Sequence, residues 1–119
     1  MDDFGKQFHN MAESLGNAAK GFMGKLDHFT FKMLIDNLKS TDQAVVVDTI
    51  SQLEREKRPI SIAPLYLVSQ QHPNMTVRSR ANKALSEMTD PKKLEELTAG
   101  KSIEDAVKTL IQEYGHYKS

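Results

Sequence analysis

The sequence contains no cysteine and no tryptophan, and no stretch approaches the roughly 20 apolar residues that a membrane-spanning helix requires. Without cysteine, neither a disulfide framework nor a thiolate metal site can form. The chain therefore suits a reducing compartment, for which the cytoplasm is the default. The first residues, Met-Asp-Asp, include neither a cationic leader nor an apolar run, so we do not expect a secretory signal.

The chain also lacks a net charge, because its 16 basic residues balance its 16 acidic ones. A neutral chain does not have the overall attraction to phosphate backbones or anionic lipid that a strongly basic chain has. Nucleic acid is therefore disfavoured as a partner.

Apolar residues make up 39% of the chain, which is ordinary for a globular protein, and 119 residues suffice for one domain with its own core.

No segment alternates apolar and polar residues long enough to indicate a sheet, whereas helical spacing recurs between glycines and prolines. We expect an all-α fold with helices at residues 2–25, 28–39, 42–56, from between 59 and 64 to about 71, 75–88, from 91, and 103–114. Residues 40–43, "STDQ", match a capping box with Ser40 as the cap. Asn74 and Asp90 are expected to cap the helices that follow them, and Ser102 forms a second capping box with Asp105.

Two helix-turn-helix segments repeat with an offset of 32 residues. The offset aligns three pairs of similar residues: Asp42 with Asn74, Val45 with Val77, and Leu53 with Leu85. Each copy follows a short apolar helix, "MLIDNL" or "PLYLV". One such unit buries too little apolar surface to be stable alone, but stacked units share a continuous core, as in a solenoid.

Residues 29–88 resemble the HEAT-repeat family, particularly its short bacterial form, through "LIDNLKSTDQAVVVDTISQL" and "APLYLVSQQHPNMTVRSRANKAL". In that family the second helix of a unit typically opens with a capping residue, then Val-Arg, then small residues and a Leu. The matching positions are Asn74, Val77, Arg78, Ala81, Ala84 and Leu85. The first copy departs from the pattern, because Val46 stands in place of Arg78 and Thr49 in place of Ala81.

The resemblance implies a short right-handed α-solenoid of about two HEAT-like helix pairs. Within it, Val77, Ala81, Ala84 and Leu85 would face the neighbouring pair, while Arg80 and Lys83 stay solvated. Arrays usually need at least three units, so the ends must be covered. The apolar face of the C-terminal helix, residues 103–114, can cap one end, and homodimerisation through an open end is the other solution. HEAT-like proteins mostly present surfaces to partners, which implies a non-enzymatic scaffold or adaptor that binds another protein.

Residues 1–26 form an expected N-terminal amphipathic arm, attached to a helical domain of residues 27–119. A narrow apolar stripe runs along the arm: Phe4, Phe8, Met11, Leu15, Ala18, Ala19, Phe22 and Leu26. Four glycines lie off the stripe and weaken an isolated helix, so we expect the helix to form only where its stripe is buried.

The stripe of the arm has three interpretations. It could join the core of its own domain, or it could dock into a groove of a partner through five anchors: Phe4, Phe8, Met11, Leu15 and Phe22. The third interpretation is a helix at a membrane surface. That interpretation is not favoured, because the arm carries as many acidic as basic residues.

Motifs for catalysis, cofactor binding or metal binding are absent from the sequence, so we expect no enzyme activity, no cofactor and no metal. The four histidines lie in different helical segments without the spacing of paired ligands, and no glycine-rich phosphate loop occurs.

Five basic residues could form an edge that binds phosphate or an acidic protein: Arg55, Arg58, Arg78, Arg80 and Lys83. Their acidic neighbours favour a solvated rim instead. For Arg78 a further interpretation is a bond to a neighbouring turn or carboxylate. A membrane-surface or nucleic-acid adaptor is the alternative function.

Overall fold

The computed structural model describes residues 2–19 and 32–114, and within these two ranges every regular element is helical. The elements are α1 (Asp2–Ala19), α2 (residues 32–37), α3 (Gln43–Glu56), a 3-10 turn (Pro59–Ser61), α4 (Ile62–Gln71), α5 (Met75–Met88), α6 (Pro91–Thr98) and α7 (Ile103–Tyr114). The all-α prediction is confirmed for this part of the chain. The predicted end of the first helix at residue 25 and the predicted start of the second at residue 28 lie outside the described residues.

Side-chain caps determine where the middle helices begin. Asn74 accepts a hydrogen bond from the backbone N–H of Val77 at 3.1 Å, and Asp90 accepts one from Lys92 at 3.0 Å, as predicted. Each cap satisfies a backbone donor that the first turn of a helix leaves without a partner. The start of α7 has a similar bond, because Ser102 Oγ accepts the N–H of Asp105 at 3.2 Å.

The capping box predicted for residues 40–43 is wrong in its choice of cap. Asp42 caps α3, because its carboxylate accepts the N–H of Ala44 at 2.9 Å. Ser40 Oγ instead accepts the N–H of Asp42 at 3.0 Å and so shapes the turn before the helix. Asp42 directly precedes the first helical residue, and Asp is among the strongest N-cap residues.

Helix α4 lies at the centre of the core. All its residues from Ile62 to Ser69 are buried except Tyr66, which is partly buried. A helix that is apolar on all sides needs neighbours on all sides, and α1, α5, α7 and the 3-10 turn all pack against it. Pro64 is accommodated because it lies in the first turn, where its missing N–H costs no helical hydrogen bond.

Helix α5 packs against α4 and α3 with the face that the sequence predicts. The residues of this face are fully or almost fully buried: Val77, Ala81, Ala84 and Leu85. Ala81 and Ala84 add little volume, so the backbone of α5 can approach its neighbours closely. Arg78, which lies between these positions, bonds to the preceding turn and not to the core.

The predicted equivalence of Val45 and Val77 is wrong, because Val45 is 36% exposed and Val77 is fully buried. In α3 it is Val46 that is buried, together with Ile50 and Leu53. These three aliphatic side chains follow helical spacing and form a more apolar face than the one containing Val45. The N-caps of α3 and α5 still align in the 32-residue offset, as do the buried pairs Thr49 with Ala81 and Leu53 with Leu85, but α3 buries Val46 in place of Val45.

The expectation that Arg80 stays solvated is also wrong. Its side chain is only 25% exposed, and it forms an ion pair with Glu54 of α3 at 2.8 Å. The same guanidinium donates to Ser51 Oγ at 3.1 Å. At the other end of the helix pair, Asn74 Nδ2 donates to the side-chain oxygen of Gln43, Oε1, at 2.9 Å. Polar contacts therefore join α3 and α5 both at their first turns and near their middles.

Helix α1 packs against α4 and α7. Phe8, Met11 and Leu15 are buried in the same cluster as the core residues of α4 and α5. The ring of Phe8 also lies 6.0 Å below the ammonium group of Lys39, just after α2. The described part of the chain therefore has one continuous core, to which the stripe of α1 contributes; the predicted boundary at residue 26 lies outside the described residues.

Helix α7 packs on α4, the 3-10 turn and α6. Its inward side chains are Ala106, Val107 and Leu110. Its last residue, Tyr114, shares a hydrogen bond with the Thr89 hydroxyl at 3.2 Å and lies below the Lys93 ammonium at 5.4 Å. Glu113 raises the pKa of Lys93 through an ion pair of 3.2 Å. These contacts fix the end of α7 beside the start of α6.

Candidate interaction surfaces

An open groove runs between α1 and α7. Its lining residues come from three helices: Gln7, Asn10, Met11 and Ser14 from α1, Leu67 from α4, and Ile103, Glu104, Val107, Lys108 and Ile111 from α7. The cavity has a volume of about 70 Å³. Small-molecule sites usually exceed roughly 300 Å³, so the groove suits one side chain of a protein partner better than a cofactor.

The two walls of the groove differ in chemistry. On α7, Ile103, Val107 and Ile111 follow each other at intervals of four residues and form an apolar wall. On α1, Gln7, Asn10 and Ser14 also share one side of the helix, but they present carboxamide and hydroxyl groups. An apolar wall facing a polar one can bind a segment that buries a side chain while hydrogen bonding through its backbone.

Two further features of the groove concern polar groups. The carbonyl oxygen of the Gln7 side chain is buried and has no hydrogen-bond partner among the described residues. A buried acceptor without a donor costs about 1–3 kcal/mol. Glu104 and Lys108 form an exposed ion pair of 3.6 Å at the rim, and such pairs contribute little to stability.

The predicted docking anchors of α1 lie on the side of the helix that faces the core. Phe8, Met11 and Leu15 are buried, and Phe4 is partly buried with its ring 5.6 Å from that of Phe8. Phe22 lies outside the described residues. A partner could reach these anchors only after α1 had left the core.

Among the five predicted basic residues, three are engaged in bonds within the chain. Arg78 Nη1 donates to the backbone oxygen of His72 at 2.6 Å, Arg80 binds Glu54 and Ser51, and Arg58 lies 3.7 Å from Glu56. Arg55 and Lys83 are exposed. Arg78 lies at the start of the α3–α5 pair, whereas Arg55 and Arg58 lie at its end.

His72 is buried, with 8% of its surface exposed, in the turn between α4 and α5. Its Nδ1 accepts the N–H of Asn74 at 3.0 Å, and its ring meets the Phe4 ring edge-on at 5.2 Å. Burial lowers the pKa of His72 from its ordinary value, and the positive charge of Arg78 lowers it further. His72 therefore lies in a turn that α1 covers.

Exposed apolar side chains are few in the described ranges, and the large ones are Met33, Val45 and Met75. Met75 is the most exposed of them, at 70%. They belong to three different helices, α2, α3 and α5. Isolated exposed apolar residues are common on globular proteins and do not by themselves indicate a binding site.

The sequence patterns did not indicate the groove or the environment of His72. The apolar wall on α7 could have been noticed, because Ile103 and Ile111 belong to the stripe predicted for that helix. Gln7, Asn10 and Ser14 have no recognisable motif, since their role depends on how α1 lies beside α7.

No three His, Asp or Glu side chains within residues 2–19 and 32–114 are grouped closely enough to hold a metal ion. None of the helices described is both long and apolar enough to cross a bilayer. Comparison of the chain with protein-family models, with curated proteins and with solved structures finds no match.

Proposed function

We propose that this protein is a non-enzymatic interaction module, a scaffold or adaptor subunit of a larger assembly, and that it binds a protein partner in the α1–α7 groove. The observation that carries the proposal is the pairing of an apolar wall on α7 with a carboxamide wall on α1. A partner segment would place an apolar side chain against Val107 and Ile111. The exposed Asn10 carboxamide and Ser14 hydroxyl would hydrogen bond with its backbone.

We also propose that α2 with α3 and α4 with α5 act as two HEAT-like pairs that form a rigid body behind the groove. Support comes from the packing of α5 against both α4 and α3, and from the equivalent N-caps Asp42 and Asn74. The absence of cysteine fits a role in the cytoplasm. The resemblance to HEAT repeats supports a partner-binding role by analogy, since a fold alone does not define a function.

A second candidate function uses α1 itself as the docking element. It is favoured by Gly5, where an added Cβ would meet no atom within 4 Å, so that the residue weakens the helix without a packing reason. Docking through Phe8, Met11 and Leu15 would require α1 to leave the core. The nucleic-acid alternative has less support, because Arg58, Arg78 and Arg80 are engaged in internal bonds.

The test begins with a photo-reactive amino acid at Ser14, which is exposed in the groove, and at Asn82, which is exposed on α5 as the matched control. Cross-linked proteins from native lysate identify a candidate partner, which is then purified. Affinity is measured for Ser14→Arg and for the control Asn82→Arg. A long cation in the groove should weaken binding about tenfold or more, which corresponds to about 1.4 kcal/mol, while the control should bind normally.

If both variants bind the partner as tightly as the parent chain does, the groove is excluded as the interface. Loss of binding only when Phe8, Met11 or Leu15 is replaced, with the chain still folded by circular dichroism, would support the second candidate. Weakening of binding by both arginine variants would indicate a different, more extended surface.

A further inference from the structure

The end of α4 forms a junction where three parts of the chain meet at His72. We use "the His72 junction" for His72, Phe4 of α1, Asn74 of the following turn and Arg78 of α5. The imidazole contacts the Phe4 ring at 5.2 Å and accepts the N–H of Asn74 at 3.0 Å. The backbone oxygen of His72 accepts from Arg78 at 2.6 Å. One buried residue thus joins the first turn of α1 to the start of α5.

The bond from Asn74 requires one protonation state of the imidazole. Because the backbone N–H of Asn74 is the donor, Nδ1 must be unprotonated, and the ring proton of the neutral form is then on Nε2. A protonated imidazole carries an N–H on both nitrogens and cannot accept this bond. Protonation would therefore place two donors against each other and introduce a charge where His72 is 8% exposed.

The surroundings of the imidazole offer no described compensating charge. From α5 the facing group is the Arg78 guanidinium, which carries the same sign as a protonated histidine. From α1, whose side chains are described from residue 4 onward, it is the uncharged ring of Phe4. The last turn of α4, residues 69–71, contributes only Ser and Gln side chains. The junction is consequently more stable when His72 is neutral.

We propose that the neutral imidazole of His72 holds α1 on the core, and that protonation of His72 releases α1 while α3, α4 and α5 remain folded. This inference goes beyond the proposed function and does not depend on the identity of a partner. Release would expose the apolar stripe of α1 and the surfaces of α4 and α7 beneath it. The molecule would thus have a closed form at neutral pH and an open form in mild acid.

Helix α1 should be released first because its attachment is narrower than that of α5. It contacts the core through one stripe, in which Phe8, Met11 and Leu15 are buried and Phe4 packs on both Phe8 and His72. Helix α5, by contrast, buries a full face against α4 and is also joined to α3 by the Arg80–Glu54 ion pair. Hydration of a protonated His72 therefore requires only α1 to move, whereas moving α5 would also break the Arg80–Glu54 ion pair.

The sign of the pH dependence follows from the direction of the pKa shift. The pKa of His72 is lower in the folded chain than in the unfolded one, chiefly because of burial. The stabilisation is complete above the ordinary histidine pKa of about 6.5. It is lost as the pH falls from there through the pKa of the folded state.

The chain contains no cysteine, so a single introduced thiol reports the exposure of one site. The full chain is prepared with Met11→Cys under α1 and, separately, with Ala84→Cys in the core face of α5; both positions are buried. Each thiol is reacted with 4,4′-dithiodipyridine, which reacts in mild acid, at several values between about pH 7.5 and pH 5, on both sides of the histidine pKa. Rates are divided by those of the urea-unfolded chain at the same pH.

We expect the corrected rate at Met11→Cys to rise relative to that at Ala84→Cys as the pH falls, by up to about tenfold per pH unit, the limit for uptake of one proton. In the background His72→Asn, the side-chain oxygen can still accept from Asn74 but cannot be protonated, so the rise should disappear. His9→Asn is the matched control, because His9 lies on the exposed side of α1 near Glu13. This control should retain the rise.

Leu15→Cys provides a second reporter under α1 if Met11→Cys fails to fold. Gly5→Ala should slow labelling at every pH and leave the pH dependence unchanged, because it strengthens the helix without touching His72. Three results would overturn the proposal: no rise in the parent chain, a rise that persists in His72→Asn, or an equal rise at Met11→Cys and Ala84→Cys. The last would mean that His72 controls global unfolding and not the release of α1.

Discussion

Arg78 and Arg80 are two residues apart in the sequence, but they stabilise different joints of the molecule. Arg78 closes the turn between α4 and α5 by donating to the backbone oxygen of His72. Arg80 crosses to α3, where it binds Glu54 and Ser51. Side chains two positions apart on a helix point in directions that differ by about 200°. Two cations at such positions can therefore bind different neighbouring elements.

Replacing Arg80 with Ala should lower the free energy of unfolding by about 1–2 kcal/mol, because it leaves the partly buried Glu54 carboxylate without its partner. Chemical denaturation with urea measures the change. The control is Lys83→Ala, an exposed site on the same helix, which should change stability by no more than about 0.5 kcal/mol. A double-mutant cycle with Glu54→Ala isolates the ion pair, and a coupling energy near zero would contradict this role of Arg80.

At the scale of elements, Asn74 organises the starts of two helices. Its side-chain oxygen accepts from Val77 within α5, and its side-chain nitrogen donates to Gln43 at the start of α3. Helices often depend on packing more than on propensity for their stability. Here one side chain both caps a helix and aligns it with its neighbour, so the local signal in the sequence and the tertiary contact coincide.

The two roles of Asn74 can be separated by substitution. Asn74→Ala should destabilise the protein by about 1–2 kcal/mol, because it removes both the cap and the bond to Gln43. Asn74→Asp keeps an oxygen for the cap but has no donor for Gln43, so its loss should be smaller. Thermal unfolding of both variants, compared with the exposed control Asn82→Ala, tests the assignment. Equal losses for Ala and Asp would show that the cap contributes nothing.

At the scale of the whole molecule, α1 supplies part of the core. Phe8, Met11 and Leu15 are as deeply buried as the central residues of α4. Folding stabilities of small domains are only about 5–15 kcal/mol, so a helix that contributes three large buried side chains carries a substantial share. A partner that bound these side chains would have to offset the free energy that they contribute to folding.

Phe8→Ala should lower the free energy of unfolding by about 3–5 kcal/mol, the usual cost of removing a fully buried aromatic ring. Lys6→Ala, at an exposed site on the same helix, is the matched control and should be nearly neutral. Differential scanning calorimetry measures both. A loss below about 1 kcal/mol for Phe8→Ala would mean that α1 spends much of its time away from the core and would disagree with the structure.

The helices themselves were largely predictable from the sequence. Asn74 and Asp90 act as caps within one turn of their own positions, and their capping hydrogen bonds lie within three residues along the chain. A helix was also expected where α4 lies, although its burial on nearly all sides was not predicted. Where local signals competed, as between Ser40 and Asp42, the sequence pattern favoured the wrong cap, because both residues can serve and only the path of the turn distinguishes them.

The amino-acid sequence by itself determined that the described part of this chain is helical, where most of its helices begin, and which face of α5 is buried, because these depend on short-range hydrogen bonds and on one clear apolar stripe. The tertiary structure decided that Val46 and not Val45 faces the core, that Arg80 pairs with Glu54, and that His72 lies beneath Phe4. The groove between α1 and α7 was likewise decided by the tertiary structure. The physical reason is that such features depend on how distant segments pack together, which no local pattern encodes.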